Sequence, residues 1–525
     1  GNFMVERLMD RLARRLGVDP AELRQRNLIG PERMPYTTGY KRMGTRPVIY
    51  DGGDYPRLLA SALEAIGYAD VRQRQATGAR IGVGVACCVE SAGIQQPEPA
   101  TIRVQPNGDV YAYLGSTPGG QGHRTVFAQV IAEHLGWPVD RVQVFVGDTT
   151  MVSNSANTAG SRSALEVGNA AAAVAREARR QLVQRAQTAL EAAGDDLTIG
   201  PRGAEVAGAP AQHVGLAELL AAEGPLTAHA SFQSSGAYTA AVHAVTLELD
   251  SETATPRITR YVIAHDCGQP INPLLVNGQL QGGLVHGVGY ALMEEAAYQP
   301  DGTFTTANFL DYALPGRGIP ASMQPEIVEV RAAVLGNNPE GFKGVGETGT
   351  IAAPAAIVAA IEDALRTAGV DVALSTLPVT PARLFDALAS SKGASSSEEM
   401  ADSPNTRLAA YGTLMPGQLN HALLADVSGT WIDGRVHGVR FMANGFPAFT
   451  PGAGPGQVAV SVLTSAALPQ HWARLDAFEG TDYRRMLVPV RLPDGTSLVA
   501  NIYAYIGAEQ PLPAPTGLDP AHSSR

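Results

Sequence analysis

The chain has 525 residues, a formal net charge of -11 and 45% apolar residues, enough hydrophobic side chains for folded cores, so a wholly disordered chain is excluded. The acidic balance excludes a nucleic-acid partner held by charge, because there is no surplus of basic residues to neutralise phosphates. Three cysteines are too few for a disulfide framework or for an iron–sulfur cluster, which needs about four thiolates.

Neither a signal peptide nor a membrane span is predicted. The N-terminal residues lack an apolar h-region, and apolar stretches such as Ile351–Ile361 are interrupted by Pro354 and fall short of the roughly 20 residues that cross a bilayer. With the few cysteines, this predicts a soluble, cytoplasmic protein. Because the chain begins with a glycine inside a predicted helix, without an initiator Met, we expect a fragment or a processed product.

Hydrophobic periodicity predicts a mixture of helices and strands. In the opening helix Val5, Leu8, Met9, Leu12 and Leu16 share one face, and a second helix begins at Pro20 with Asp19 as its N-cap. Further along, the predicted strands are Thr101–Val104, Val110–Leu114, Val142–Val146, Ala240–Leu249 and Ile258–Ile263, and the predicted helices are Leu165–Ala193, Gly278–Glu295 and Ala353–Thr367. Sheets covered by long helices indicate an α+β fold.

The composition changes abruptly after residue 390. Residues 391–406 are small, polar and aperiodic, which is typical of a flexible linker. Short strands follow over 407–509, with a hairpin around Pro-Asp-Gly, and 510–525 are expected to be a disordered tail. The predicted organisation is a first domain over 1–390, the linker and a second domain. Because Met400 could start a separate reading frame, a natural fusion and a gene-model error both stay open.

Two glycine-rich clusters each precede a predicted helix. Gly119–His123 has bare backbone that a polyanionic or heterocyclic ligand could approach, and a helix N-terminus favours anions. Asn157–Ser163 adds hydroxyls, N–H groups and the guanidinium of Arg162, which together suit a phosphate. Ordinary structural roles stay open: a plain strand–helix turn for the first cluster, and a loop capped by Ser161 or Ser163 for the second.

Two more clusters carry a glutamine and a glutamate. In Asn277–Gly283, Gln279 can both donate and accept, which suits an oxo group or a pterin edge, although small residues at helical spacing also favour close helix packing. In Gly341–Thr348, Glu347 enters an apolar helix, where burial would raise its pKa as a general base requires; the alternative is a helix N-cap acid. Lys343 is predicted to be a solvated loop lysine, with electrostatic support of the Glu347 loop as the alternative.

Together and in this order, the four clusters resemble the molybdenum hydroxylase (xanthine oxidase/aldehyde oxidase) family, specifically its molybdopterin-binding large subunit. The resemblance covers about residues 1–390 and includes GGQGHRTVFAQVIAEHLG, NTAGSRSALEVGNA, HDCGQPINPLLVNGQLQGG and GFKGVGETGTIAAPAAIVAAIEDAL. It implies α+β domains of the xanthine dehydrogenase type. Only the C-terminal half of the family's large subunit is matched, so we expect the N-terminal half to be missing.

The resemblance also implies a cofactor and a reaction. The cofactor would be molybdopterin, plain or as the cytosine dinucleotide, with molybdenum held by the pterin dithiolene and by no protein ligand. Glu347 would be the catalytic base at a Mo–OH group, and an aldehyde or N-heterocycle would be oxidised with oxygen from water. The residues implied to bind the cofactor are Gly120, Gln121, Gly122, Thr158, Ala159, Gly160, Ser161 and Gln279.

Partners follow from the same resemblance. FAD and [2Fe–2S] centres would lie on other subunits, so we expect a hetero-oligomer completed by these subunits or by the missing N-terminal half. No nucleic acid and no membrane are expected to take part.

Residues 407–509 carry two further motifs. Tyr411, Gly412, Thr413 and Leu414 end a predicted strand in a turn whose N–H groups suit a carboxylate or oxyanion. Glu479 lies among apolar neighbours, as a general acid/base would, but it could equally be a surface acid that ends a helix before a glycine C-cap.

The motifs YGTL and LDAFEGTDYRR resemble the gamma-glutamylcyclotransferase-like (AIG2-like) family, whose fold is a small mixed β-barrel. The resemblance implies that Glu479 shuttles the proton as a gamma-glutamyl amine cyclises to 5-oxoproline. Tyr411, Gly412, Thr413 and Leu414 would then line the substrate pocket. The main hypothesis is therefore a molybdenum hydroxylase subunit. The alternatives are that only the second domain is active and the first is a truncated, inactive remnant, or that both domains are non-catalytic interaction modules.

Overall fold

The computed structural model of the chain describes residues 1–42, 46–221, 224–250, 255–316, 324–334, 336–381, 383–384, 404–452, 456–480 and 482–507. Its contacts divide the chain into two compact units, Gly1–Ser391 and Lys392–Arg525. Most of the predicted linker, up to residue 403, and all of the predicted tail over 510–525 lie outside the described residues. Residues 404–406, predicted as linker, instead form a 3-10 turn whose Asn405 carbonyl accepts a hydrogen bond from Trp472 Nε1 at 3.0 Å.

Helices and strands alternate throughout the first unit. Its helices are α1 (Asn2–Leu16), α2 (Pro20–Asn27), α3 (Tyr55–Ile66), α4 (Tyr68–Ala76), α5 (His123–Leu135), α6 (Gly168–Leu190), α7 (Leu216–Ala221), α8 (Pro273–Leu292), α9 (Thr348–Ile351) and α10 (Ala353–Thr367). Its strands are β1 (Tyr36–Arg42), β2 (Arg46–Tyr50), β3 (Ile81–Ala92), β4 (Glu98–Val104), β5 (Val110–Leu114), β6 (Val142–Val146), β7 (Leu197–Gly200), β8 (Gly203–Val206), β9 (Ala209–Gly215), β10 (Leu226–Phe232), β11 (Ala237–Leu249), β12 (Pro256–Asp266) and β13 (Glu326–Glu329).

Two four-stranded sheets form the centre of the first unit. One has the order β10-β4-β5-β6, and α5 and α6 pack their apolar faces on it. The other has the order β13-β12-β11-β3, with α8 and α10 on one face and α3 on the other. Each sheet has one parallel pair, β5–β6 and β12–β13, and is otherwise antiparallel. The predicted α+β class is confirmed.

Local predictions succeed where the periodic pattern is strong. β5, β6 and α10 have the predicted bounds. The helix predicted from Gly278 begins earlier, at Pro273, because the Asn272 side chain caps it and proline fits the first helical position. The helix predicted from Leu165 begins as a π-helical turn over Ser163–Val167, and α6 starts at Gly168.

The first helix buries its charged face and exposes its apolar one. Val5, Leu8, Leu12 and Leu16 are between 46% and 57% exposed. On the opposite face, Arg24 of α2 donates to the buried carboxylates of Glu6 and Asp10, with both donor–acceptor distances 2.8 Å. Arg7 forms an ion pair with Glu362 of α10, and Arg14 donates a hydrogen bond to the same carboxylate. An ionic network therefore fastens α1 and α2 to the core.

One apolar stretch is long enough to raise the question of a membrane span. Among the described residues, Thr348–Thr367 has the length and apolarity of a spanning helix, but 89% of its most apolar window is buried inside the fold. Pro354 does not shorten it as expected, since it lies in the first turn of α10, where proline is tolerated. The stretch serves as a core helix packed against β3 and β11.

The second unit is a closed barrel. Its elements are β14 (Arg407–Ala410), β15 (Thr430–Ala443), β16 (Phe446–Pro451), β17 (Gln457–Thr464), α11 (Leu468–Glu479), β18 (Tyr483–Arg491) and β19 (Ser497–Tyr505). The sheet order is β16-β15-β17-β14-β19-β18, and β15 also pairs with β18, which closes five strands into a barrel. Because β14 runs parallel to β19 and the other pairs are antiparallel, the predicted mixed β-barrel is confirmed. The hairpin predicted at Pro-Asp-Gly joins β18 to β19.

We expect Glu362→Gln to destabilise the first unit by about 3–5 kcal/mol, because it leaves buried guanidinium groups without their shared carboxylate. Glu362 is 2% exposed and binds Arg7 and Arg14. Burial alone would raise the pKa of its carboxyl, but the two guanidinium groups outweigh burial and the pKa is lowered. Its stabilising effect is therefore present above the ordinary glutamate pKa and is lost as the pH falls through the lowered value.

Thermal unfolding at pH 7 and at acidic pH measures both effects. The control is Glu22→Gln, which breaks an exposed ion pair with Arg26 on α2 and should change the stability by less than about 1 kcal/mol. Equal melting temperatures for the Glu362 variant and the wild type at pH 7 would contradict the prediction.

Candidate functional site

Separate segments of the first unit meet around one cavity with a volume of about 320 Å³. Six of the eight residues predicted to bind a cofactor line it, and so does Glu347; the six are Gln121, Thr158, Ala159, Gly160, Ser161 and Gln279. The other two, Gly120 and Gly122, flank Gln121 in the chain. The structure thus gathers all four sequence clusters in one place.

The Gly119–His123 cluster connects β5 to α5, as predicted. Gly120 has a φ of +110° and Gly122 a φ of +81°, conformations that favour glycine. Gly122 is the N-cap of α5 and has no side chain with which to cap the helix. The first N–H groups of α5 therefore have no hydrogen-bond partner in an N-cap side chain. The Gln121 Oε1 accepts from the Gly119 N–H at 2.5 Å, which holds the loop in a tight turn.

Arg162 does not clamp a phosphate, and that interpretation of the Asn157–Ser163 cluster was wrong. Its side chain is fully buried, 0% exposed, and donates to Glu98 on β4 and to Glu166, each at 2.5 Å. Its remaining nitrogen donates to the carbonyl of Ala156 at 3.1 Å. Because two carboxylates already neutralise the guanidinium, its role is to hold the loop.

The serines of this cluster do not cap a helix, contrary to the alternative left open for them. The helical turn that begins at Ser163 has no side-chain cap. The Ser163 hydroxyl instead lies 3.0 Å from that of Ser116, which also contacts the Thr158 hydroxyl at 2.8 Å. Ser161 has a φ of +49°, which is unusual for a residue other than glycine, and its hydroxyl donates to Glu90.

The Gln279 cluster shows the close helix packing that was left open for it, and the position of Gln279 leaves the ligand-binding interpretation a prediction. Gln279 lies on α8 and lines the cavity. The glycines on the same helix allow close packing: a Cβ at Gly283 would lie 3.0 Å from the Gly349 backbone, and one at Gly287 would lie 2.4 Å from the Ala353 Cβ. The helix therefore packs tightly on α9 and α10 and presents a polar amide to the cavity.

Glu347 lies at the cavity wall but is exposed, so the burial expected for it was wrong. It occupies the N-cap position of α9 without making a capping hydrogen bond. Lys343 also differs from the prediction of a solvated lysine. It is 2% exposed, lines the cavity and pairs with Asp266 through its Nζ at 3.1 Å.

Sequence reasoning missed two buried polar residues of the site. His123 lines the cavity, its Nδ1 has no hydrogen-bond partner among the described residues, and burial lowers its pKa. Glu90 lies on β3 behind the cavity, and burial raises its pKa to about 6. A lone carboxylate in the apolar strand IGVGVACCVESA was the available signal for Glu90.

In the second unit, the Tyr411–Leu414 motif follows β14, as predicted. Tyr411 and Leu414 are buried, and the Tyr411 hydroxyl donates to the Tyr503 carbonyl at 2.7 Å. Thr413 Oγ1 accepts from the Asn420 side chain at 3.0 Å. These bonds fix the turn at one end of the barrel strand.

Glu479 combines the two alternatives left open for it. It is the last residue of α11, with Gly480 as the C-cap. Its carboxyl is nevertheless half-buried, and burial raises its pKa to about 7. Three tyrosine hydroxyls nearby have raised pKa values, those of Tyr411, Tyr483 and Tyr503. Burial is the largest cause for all three, and the Glu479 carboxylate raises each pKa further. A carboxyl with this pKa can exchange a proton near neutral pH.

A second cavity, of about 530 Å³, opens in the same unit. It is lined in part by Met415, Asp433, Arg435 and Arg491, and by none of Tyr411–Leu414 or Glu479. Its volume therefore gives no support to the predicted substrate pocket.

Comparisons with known proteins agree with the geometry. Residues 61–318 match the molybdopterin cofactor-binding domain, and residues 408–519 match the gamma-glutamyl cyclotransferase, AIG2-like family. The chain is 33% identical over 399 residues to the 6-hydroxypseudooxynicotine dehydrogenase complex subunit gamma of Paenarthrobacter nicotinovorans, covering 73% of this chain and 49% of that protein. It is 31% identical over 422 residues to the nicotine 6-hydroxylase large subunit of the same organism, covering 74% and 49%.

The first unit is also similar in structure to a solved molybdenum hydroxylase. Quinoline 2-oxidoreductase from Pseudomonas putida 86 superposes with a TM-score of 0.65 and 31% identity, covering 74% of this chain and 52% of that one. The chain thus spans about half the length of the relatives it matches. The first unit therefore contains a molybdopterin cofactor-binding domain and is similar to the large subunits of molybdenum hydroxylases, and the second unit contains a gamma-glutamyl cyclotransferase, AIG2-like domain.

Proposed function

We propose that the first unit is the cofactor-holding part of a molybdenum-dependent hydroxylase or dehydrogenase that oxidises an aldehyde or an N-heterocycle. The observation that carries the proposal is the single cavity shared by four motifs that are far apart in the sequence. The substrate class comes from the relatives, which are named for nicotine, 6-hydroxypseudooxynicotine and quinoline.

The residues around the cavity fit a molybdopterin. The donor set consists of hydroxyls, amides and backbone N–H groups, which suits pterin edges and phosphate oxygens. Helices α5 and α8 begin beside the cavity, and helix N-termini stabilise anions. The unpartnered Nδ1 of the buried His123 is a further polar atom that such a ligand would satisfy. Gln121, Thr158–Ser161 and Gln279 would hold the group, in its plain or its cytosine dinucleotide form.

The chain's own contribution is to position the cofactor and to move a proton. When bound, the cofactor supplies the two-electron chemistry. The exposed Glu347 carboxylate would accept the proton of the water-derived hydroxyl that becomes the product oxygen. Lys343 lines the cavity, but Asp266 already neutralises its ammonium group, so it would hold the Gly341–Thr348 loop in place instead of attracting an anionic ligand.

Electrons would leave through [2Fe–2S] and FAD centres on partner subunits. We therefore propose a hetero-oligomer in the cytoplasm; the relatives are themselves named as subunits of larger enzymes.

A second activity is proposed for the second unit: cyclisation of a gamma-glutamyl amine with release of 5-oxoproline. The supporting observation is the half-buried Glu479, whose pKa burial raises to about 7. As the substrate's α-amine attacks its own side-chain carbonyl, the Glu479 carboxylate would take a proton from that amine. It would pass the proton to the amine that leaves when the side-chain amide bond breaks, and the turn at Gly412 and Thr413 would hold the substrate carboxylate.

We expect Glu347→Gln to lower substrate oxidation at least about 100-fold while the molybdenum content stays unchanged, because the amide cannot accept the proton. Elemental mass spectrometry measures molybdenum per chain, and reduction of an artificial electron acceptor measures turnover. Glu326→Gln, at an exposed acid that pairs with Arg260, is the matched control and should behave as the wild type. A wild-type chain purified without molybdenum would refute the proposal that this unit holds the cofactor.

Gly344→Ala is expected to lower both stability and molybdenum content. A Cβ at Gly344 would lie 1.9 Å from the Ser161 carbonyl oxygen, so two walls of the cavity must move apart, at about 1–3 kcal/mol. Gly282→Ala is the control, because its Cβ meets no atom within 4 Å and alanine favours a helix by about 1 kcal/mol. Thermal unfolding and elemental mass spectrometry provide the readouts, and equal molybdenum in both variants would contradict the expectation.

For the second unit we expect 5-oxoproline release to fall below about pH 7, where Glu479 becomes protonated and can no longer accept a proton. Glu479→Gln should lower the rate at least about 100-fold at pH 8, where the wild-type carboxyl is ionised, and should remove the pH dependence. Chromatographic detection of 5-oxoproline from gamma-glutamyl amines measures both effects. Asp494→Asn, in the β18–β19 turn, serves as the control. A rate that is independent of pH between 5 and 8 would rule out this role for Glu479.

A further inference from the structure

Glu90 is a buried carboxylate on β3. It lies near the end of β3, is 8% exposed and faces Thr239 on the neighbouring strand β11, whose hydroxyl donates to its Oε2 at 3.4 Å. Among the described residues, Glu90 forms no ion pair. Burial raises its pKa to about 6. Burying a carboxylate costs free energy that an apolar residue at the same position would not cost, so the presence of Glu90 needs an explanation.

The contacts of Glu90 explain why a carboxylate is found there, because they involve both of the loops that line the cavity. The Ser161 hydroxyl, from the Asn157–Ser163 loop, donates to Glu90 Oε1. The backbone N–H of Glu347, from the glycine loop, lies close enough to the same carboxylate to lower its pKa, although burial is the larger effect and raises it. One side chain thus connects the cofactor loop to the residue in the position of the catalytic base.

The two loops are also in close contact with each other. A Cβ at Gly344 would lie 1.9 Å from the Ser161 carbonyl oxygen, and one at Gly346 would lie 2.8 Å from the Ser161 hydroxyl oxygen. Ser161 itself has a φ of +49°, which a serine keeps only when its surroundings hold it there. The hydrogen bond to Glu90 is the side-chain contact that holds Ser161 in this conformation.

We propose that Glu90 is the positioning residue of this site: its carboxyl oxygens hold the Glu347 backbone and the Ser161 side chain together and thereby fix Glu347 at the cavity. The functional meaning rests on the proposed oxidation at this cavity, whereas the hydrogen-bonded tie between the loops does not. Glu90 acts through Glu347 and Ser161, and it does not line the cavity.

Two variants distinguish the effect of the length of the Glu90 side chain from the effect of its charge. Glu90→Gln keeps the length of the side chain and an oxygen acceptor but removes the charge. Glu90→Asp keeps the charge, but its shorter side chain cannot reach both loops. Positioning by hydrogen bonds predicts that the glutamine variant resembles the wild type and the aspartate variant does not. A purely electrostatic role predicts the reverse.

The measurement is hydrogen–deuterium exchange of the full chain, read by mass spectrometry at the peptides that contain Glu347 and Ser161. We expect Glu90→Asp to speed exchange at both peptides about fivefold, the factor for one lost hydrogen bond, while Glu90→Gln stays near the wild type. Val89→Ala is the control, since this neighbour on β3 has an exposed side chain and should leave both peptides unchanged. Unchanged exchange in the aspartate variant, or an equal increase in both variants, would overturn the proposal.

Molybdenum content and turnover of the same samples test the link to function. In the molybdenum-loaded chain, Glu90→Asp should lower kcat more than it changes KM, because Glu347 is misplaced while the cavity remains. An unchanged kcat would overturn the functional part of the proposal. Absence of molybdenum from the wild type would refute the proposed function of the cavity, and the exchange experiment would still decide whether Glu90 ties the loops.

Discussion

The guanidinium of Arg162, fully buried between the carboxylates of Glu98 and Glu166, is the interaction on which the cavity depends. Three charges with no access to water persist only because they are paired and their other oxygens are also bonded. Glu166 accepts from the backbone N–H groups of Ile94 and Gln95, at 3.0 and 2.7 Å. The network therefore links β4, the segment after β3 and the start of α6. Arg162 also donates to the Ala156 carbonyl, so this network holds the loop that contains Thr158 to Ser161.

The polar residues around the cavity have different roles according to how deeply they are buried. The deepest layer, Arg162 with its two carboxylates, makes the wall rigid. Glu90 lies in an intermediate layer and contacts both loops. Glu347 and Gln279 lie at the cavity wall. Several of the polar groups around the cavity are therefore engaged with one another and serve to place the residues that line it.

The two units use an acid in different environments. In the first, Glu347 is exposed at the cavity wall, and its position comes from a glycine loop that fits against Ser161. In the second, Glu479 ends a helix and is half-buried, so burial by itself raises its pKa to about 7. In the proposed functions, a bound cofactor would supply the redox chemistry of the first unit, and Glu347 would need only the right position. Glu479 would itself need a proton affinity suited to neutral pH.

Much of this protein follows from the sequence alone. Strong periodicity predicted β5, β6 and α10 to the residue, and the ordered motifs identified both families, because local pattern and motif order are properties of the chain itself. What the sequence could not decide is which polar residues face a ligand. Arg162 was expected to bind a phosphate and Lys343 to be solvated, yet both are buried in ion pairs, with Glu98 and Asp266 respectively. Glu347 is exposed where a buried base was expected. Glu90 gave only the signal of one acid in an apolar strand. Burial and pairing depend on which segments meet in three dimensions, so the tertiary structure alone assigns these side chains to the scaffold or to the site.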